Sequence, residues 1–107
     1  MPTVDSSGTL TADGTEQDIA DLTANKYYSA HVDLQNMADG DTTTLRLYIK
    51  VLSTSTAALY WTETYIDTQT GIKVIFVPPQ PSTQEWHLTL EQSAGTNRDY
   101  DWAVYKV

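Results

Sequence analysis

From Lys26 onward, apolar and polar residues alternate with a period of two. Tyr28, Ala30, Val32 and Leu34 share one face, and Tyr27, Ser29, His31 and Asp33 share the other, the signature of a half-buried β-strand. The alternation returns in Leu45, Leu47, Ile49 and Val51 against Thr44, Arg46, Tyr48 and Lys50, and in Trp86, Leu88 and Leu90 against Glu85, His87, Thr89 and Glu91. Leu59 to Ile66 is rich in aromatic residues and threonine and reads as a strand, but Glu63 falls on the face of Trp61 and Tyr65, so its sidedness is ambiguous. The run from Ile72 to Val77 is expected to stop at Pro78-Pro79, because proline has no N–H for a ladder and restricts the residue before it. Pro78 to Ser82 then reads as a connection between sheets or along an edge. A last strand carries Tyr100, Trp102 and Val104. Near the start, Gly8 to Ala12 and Thr15 to Ile19 flank Asp13-Gly14, and this two-residue turn signal predicts a small N-terminal hairpin.

Counting these segments gives about eight strands at the turn spacing of a small all-β domain. The predicted fold is an antiparallel two-sheet β-sandwich. Strand number and the Pro-rich connection favour a jelly-roll-like arrangement, with an immunoglobulin-like Greek key as the alternative. Residues 8–107 form the single sandwich domain in this reading, and residues 1–7 a flexible N-terminal arm. Seventeen threonines and seven tyrosines in 107 residues suit pleated, half-buried surfaces. A chain of this mass buries roughly two thirds of its extended surface, enough for a core without staples. Cysteine is absent, which excludes disulfides, thiolate metal sites and cysteine nucleophiles. No apolar run reaches the roughly 18 residues of a membrane span, and the first ten residues lack a basic signal-like region, so a soluble, unprocessed chain with no membrane partner is expected. A net charge of −8 and a pI near 4.3 leave no cationic stripe for nucleic acid.

Candidate chemistry is sparse. Asp39 and Asp41 flank Gly40 in a turn, and Asp99 and Asp101 flank Tyr100; these four are the candidates for calcium ligation. Aspartate capping its own turn accounts for the same residues, and neither pair continues into the ligand run of an EF-hand. Glu63 is the acidic residue that interrupts an apolar face, which suits either a buried general acid or an edge strand whose carboxylate reaches water. His31 and His87 fall on outward faces without a nucleophile elbow, and no phosphate-cradling loop or dinucleotide fingerprint is present. No enzyme activity and no cofactor are expected. Trp61, Trp86 and Trp102 read as core. Tyr27, Tyr48 and Tyr60 alternate outward and suit either a protein interface or a platform for stacking on sugar.

The succession LTADGTEQ (Leu10 to Gln17), DLQNMADGD (Asp33 to Asp41), TLRLY (Thr44 to Tyr48), VPP (Val77 to Pro79) and LEQSAGTNRDYDW (Leu90 to Trp102) resembles small single-domain β-sandwich proteins encoded among the structural genes of tailed bacteriophages. The resemblance implies a non-enzymatic virion component, either a capsid decoration or cement protein or a small tail or fibre component. Such a protein is made in the host cytoplasm, is located in the virion, forms homo-oligomers and contacts capsid or tail proteins. An N-terminal arm around Pro2, Thr3 and Val4 would clamp a neighbour, and Tyr27, Tyr48 and Tyr60 would supply further interface. The alternative is a carbohydrate-binding β-sandwich module whose glycan stacks on those tyrosines.

Overall fold

A computed structural model describes residues 3–82 and 84–107. Eight strands follow one another: β1 (Thr3–Thr11), β2 (Glu16–Leu22), β3 (Lys26–Asp33), β4 (Thr42–Lys50), β5 (Ala58–Ile66), β6 (Val74–Ser82), β7 (Glu85–Ala94) and β8 (Asp99–Lys106). One four-stranded sheet, sheet A, has the order β1-β8-β3-β6, and the other, sheet B, has the order β2-β7-β4-β5, with every pair antiparallel. Two interleaved sheets in this order are a jelly roll, the architecture favoured by the strand count.

The alternation is realised where it is cleanest. Tyr28, Ala30, Val32 and Leu34 of the β3 segment and Leu45 and Leu47 of β4 are buried and meet Trp86, Leu88 and Leu90 of β7 between the sheets. Burying each such large apolar side chain stabilises the fold by about 1.5–3 kcal/mol relative to exposure. Trp86 is the largest fully buried side chain and packs on Tyr28 with ring centroids 5.6 Å apart, while Trp61 and Trp102 lie half-buried at the margins of the same core. Most polar groups inside are paired, Ser82 Oγ and Trp86 Nε1 being the exceptions among the described residues. The Thr43 and Tyr100 hydroxyls lie 2.7 Å apart, Tyr100 donates to Gln92 Oε1, and Gln92 Nε2 donates to the Ala94 and Thr96 carbonyls, as burial of polar atoms requires.

Four features depart from the sequence reading. Asp13-Gly14 does turn the chain, but β1 pairs with β8 and β2 with β7, so the turn passes between sheets instead of closing a hairpin. Asp13 Oδ1 accepts from Thr15 N, and Gln17 bonds both Asp13 N and the Thr11 carbonyl, taking up main-chain groups that a hairpin ladder would use. Residues 3–7 are not a free arm, because β1 begins at Thr3 and these residues pair with β8 from Lys106 to Ala103. The prolines do not end β6 either. The strand continues to Ser82 at the edge of sheet A, where missing N–H groups are tolerated, and the register slips between Tyr28↔Gln80 and Ala30↔Val77, so that residues 78 and 79 form a bulge. Val51 lies beyond the end of β4 and is exposed.

Candidate functional site

Three surface regions combine side chains in ways that bear on function. The first is the polar outer face of sheet B, where β2, β7 and β4 lie side by side. Register places Glu16 opposite Glu91 and Asp18 opposite Thr89 on the β2–β7 seam, and Arg46 opposite Thr89 and Tyr48 opposite His87 on the β7–β4 seam. Glu16 Oε2 accepts from Tyr48 Oη at 2.7 Å and from Thr89 Oγ1 at 2.6 Å. The Thr89 and Tyr48 hydroxyls, with the Arg46 charge behind them, hold the Glu16 carboxyl below the usual range. Arg46 Nη1 lies 2.8 Å from Glu91 and 3.7 Å from Glu16.

His87 is half-buried here, with its ring tilted against Tyr48 at 5.6 Å between centroids. Its Nε2 is 2.6 Å from Asp18 Oδ1, and its Nδ1 is 3.8 Å from Glu85 Oε2. Burial pulls the imidazole pKa down, but the hydrogen bond that the ring donates to Asp18 and the charges of Asp18, Asp21 and Glu85 outweigh it and leave it raised. A hydrogen bond shared with Asp21, together with burial, raises Glu85. Asp18, Asp21 and His87 are close enough to offer one ligand atom each within 4.8 Å, but the His87–Asp18 hydrogen bond and the one that Asp21 shares with Glu85 account for their placement. The four aspartates singled out in the sequence lie elsewhere. Asp41 is buried and bonded to Arg98, Asp39 accepts from Thr68 N, and Asp99 and Asp101 accept the hydroxyls of Thr11 and Thr9 across the β1–β8 ladder. Each has at least one side-chain oxygen engaged in a turn, loop or cross-strand hydrogen bond, and Asp41 has both.

The second region is an aromatic hollow of about 330 Å³ on the outer face of sheet A. Ser29 is paired with Tyr105, and His31 with Phe76. His31 stands 5.3 Å from Phe76 and 5.1 Å from Tyr105, ring centroid to centroid, and its Nδ1 shares a 3.0 Å hydrogen bond with Tyr105 Oη. Tyr27 and Pro79 complete the rim, and Val107 N donates to the Tyr27 carbonyl.

The third region is the side where β5 edges sheet B and β6 edges sheet A. Tyr60 and Trp61 of β5, Leu47 of β4 and Gln80 of β6 line a cleft of about 380 Å³ there. Glu63 is exposed on this edge strand and reaches solvent, the edge alternative of the sequence reading. Burial, with the Glu63 charge beside it, pushes the Tyr65 hydroxyl up to about 12.

The three tyrosines expected to act together are therefore apart: Tyr27 on sheet A, Tyr48 in the sheet B network and Tyr60 on the β5 edge. Thr3 and Val4 sit in the edge strand β1, and Pro2 lies outside the described residues. Sequence reading missed Phe76 and Tyr105 as neighbours of Tyr27, and Glu16 and Arg46 as neighbours of Tyr48. Outward alternation in β8 was a signal for Tyr105; the others depend on register. Compared with family models, with curated proteins and with solved structures, the chain matches none.

Proposed function

We propose that this chain is a non-enzymatic structural subunit that works through protein–protein contacts, in the setting its resemblance implies: a capsid decoration or small tail component of a tailed bacteriophage. The observation that carries the contact reading is the apolar character of the β5–β6 side. Among the described residues, eight of the eleven exposed large hydrophobics fall between Val51 and Phe76, on the two edge strands and the loops that flank them. Leu59, Tyr60 and Ile66 lie on β5, Val74 lies on β6, and Ile72 lies between them. Unpaired edge backbone next to exposed apolar side chains is a template for another chain, and natural edges that avoid partners carry charge instead.

Light scattering across a concentration series tests the contact. A discrete oligomer is expected, reverting to monomer in Leu59→Lys and Tyr60→Lys while the β-sheet circular dichroism is kept. A wild-type chain that stays monomeric at every concentration overturns self-association through this side. Mass spectrometry of purified virus particles tests the setting, and its absence from them overturns the virion reading.

A further inference from the structure

We propose that the aromatic hollow on the outer face of sheet A is a binding site for a neutral sugar ring, a role distinct from the β5–β6 contact, with which it shares only Phe76. The hollow exists because a small residue lies at the centre of large ones. Ser29 is flanked along β3 by Tyr27 and His31 and across the ladders by Tyr105, with Phe76 beside His31 and Pro79 on the bulged β6. The bulge at residues 78 and 79 sets the β6 wall of the hollow, because it shifts the partners of β3 by one position.

The volume of about 330 Å³ is that of a small-molecule site, and the lining has the composition of one: mostly aromatic and aliphatic surface with a few convergent polar groups. Tyr27 and Phe76 are 55% and 49% exposed, so their rings are available to a ligand. The polar groups are the Tyr27, Ser29 and Tyr105 hydroxyls and the His31 imidazole, which donate and accept hydrogen bonds. Charge complementarity decides the ligand class. Among the described residues lining the hollow, none has a carboxylate, ammonium or guanidinium side chain. A cation finds no side-chain counter-ion in the walls, and an anion is repelled by a chain of net charge −8. What fits is an uncharged molecule with an apolar face for stacking and a periphery of hydroxyls, which describes a pyranose ring. His31 and Tyr105 already bond each other, but a purely apolar ligand would displace water from the Tyr27 and Ser29 hydroxyls without replacing its hydrogen bonds.

The test is ligand-observed saturation-transfer NMR of the intact chain with methyl glycosides of glucose, galactose, mannose and N-acetylglucosamine and their short oligomers. Saturation transfer to at least one series is expected. Ser29→Trp, which fills the hollow, is expected to abolish it, and Tyr27→Ala and Phe76→Ala are expected to weaken binding about tenfold each. Tyr60→Lys, on β5 of the other sheet and outside the lining of the hollow, is expected to leave it unchanged, so failure here is distinguishable from failure of the assembly reading. Absence of transfer to every series overturns the proposal, as does transfer that persists in folded Ser29→Trp. Should Ser29→Trp not fold, Tyr27→Ala and Phe76→Ala decide, since their side chains stand half outside the fold; unchanged binding in both overturns it. A hollow that binds no sugar, but whose filling lowers the solution mass, is a contact between copies and likewise overturns the proposal.

Discussion

Arg98 Nε lies 2.8 Å from Oδ2 of Asp41, a carboxylate only 1% exposed, and this ion pair ties the β7–β8 loop to the β3–β4 loop. Asp41 also accepts from Ala38 N and Thr96 N, and its carbonyl accepts from Asp67 N, so a third loop joins the same knot. Burial would push the Asp41 carboxyl up, but Arg98 and the two amides outweigh burial and hold it below its ordinary value. Asp41→Ala removes the acceptor and strands the Arg98 charge, and it is expected to cost about 3 kcal/mol by chemical denaturation.

The same residue gives an acid limb. A carboxylate whose folded pKa lies below its unfolded value contributes stability above the unfolded value, and that contribution is lost as pH falls through the folded one. Thermal unfolding of the parent chain should therefore weaken below about pH 4, with Glu16 adding to the trend through its own lowered pKa. Asp41→Ala should show a shallower decline over that range than the parent.

Gly95 faces this knot. Its φ is +90°, and an added Cβ would lie 2.8 Å from Asp41 Cα, a backbone atom that cannot swing away. Gly14 has a similar φ of +87° with open space around it. Gly14→Ala is expected to cost about 1 kcal/mol, the conformational term alone, whereas Gly95→Ala should cost clearly more. Comparing the two melting temperatures separates collision from backbone preference.

Trp86 is fully buried, and its Nε1 has no hydrogen-bond partner among the described residues. Trp86→Ala should cost about 3–5 kcal/mol through lost burial and a cavity. Trp86→Phe removes the unpaired donor along with part of the ring, so the relief offsets part of the cavity term. Its cost is expected to be less than half that of the alanine variant in urea titrations.

His87 is expected to titrate above the ordinary histidine value of about 6.5, because Asp18, Asp21 and Glu85 outweigh its burial. A histidine with a raised pKa contributes stability that is fully present below the unfolded value and lost as pH rises through the folded value. NMR titration of the ring protons should show the raised midpoint in the parent and a lower one in Asp18→Asn. An unchanged midpoint in that variant would remove the pairing from the account.

The faces of β3, β4 and β7 were legible because a period of two, with one side wet and the other in the core, leaves a single register. The N-terminal pair was not, since Asp13-Gly14 specifies a turn and not which strands lie beside it; that is decided by Leu90 and Tyr100, far along the chain. The prolines of β6 misled because the rule against proline in a ladder holds for interior strands, and edge position is a property of topology. Tyr27 was placed correctly on an outward face, but Phe76 and Tyr105 reach it only through the slip in the β3–β6 register and the β3–β8 pairing. The aspartate turns were visible as turns; that Asp41 is the buried member depended on Arg98 arriving from another loop.

The order β1-β8-β3-β6 has a kinetic consequence. The first strand has only the last as its neighbour, and β3 pairs with β6 and β8, so no pairing within sheet A joins strands consecutive in sequence. A growing chain leaving the ribosome cannot zip this sheet together stepwise; β1 must wait until β8 has emerged. Closing loops of that span before any contact rewards them is slow, which places folding in the range of milliseconds to seconds typical of non-local β topologies, about a thousandfold slower than small helical bundles. Until then, the β1 edge is held open by the order of synthesis alone.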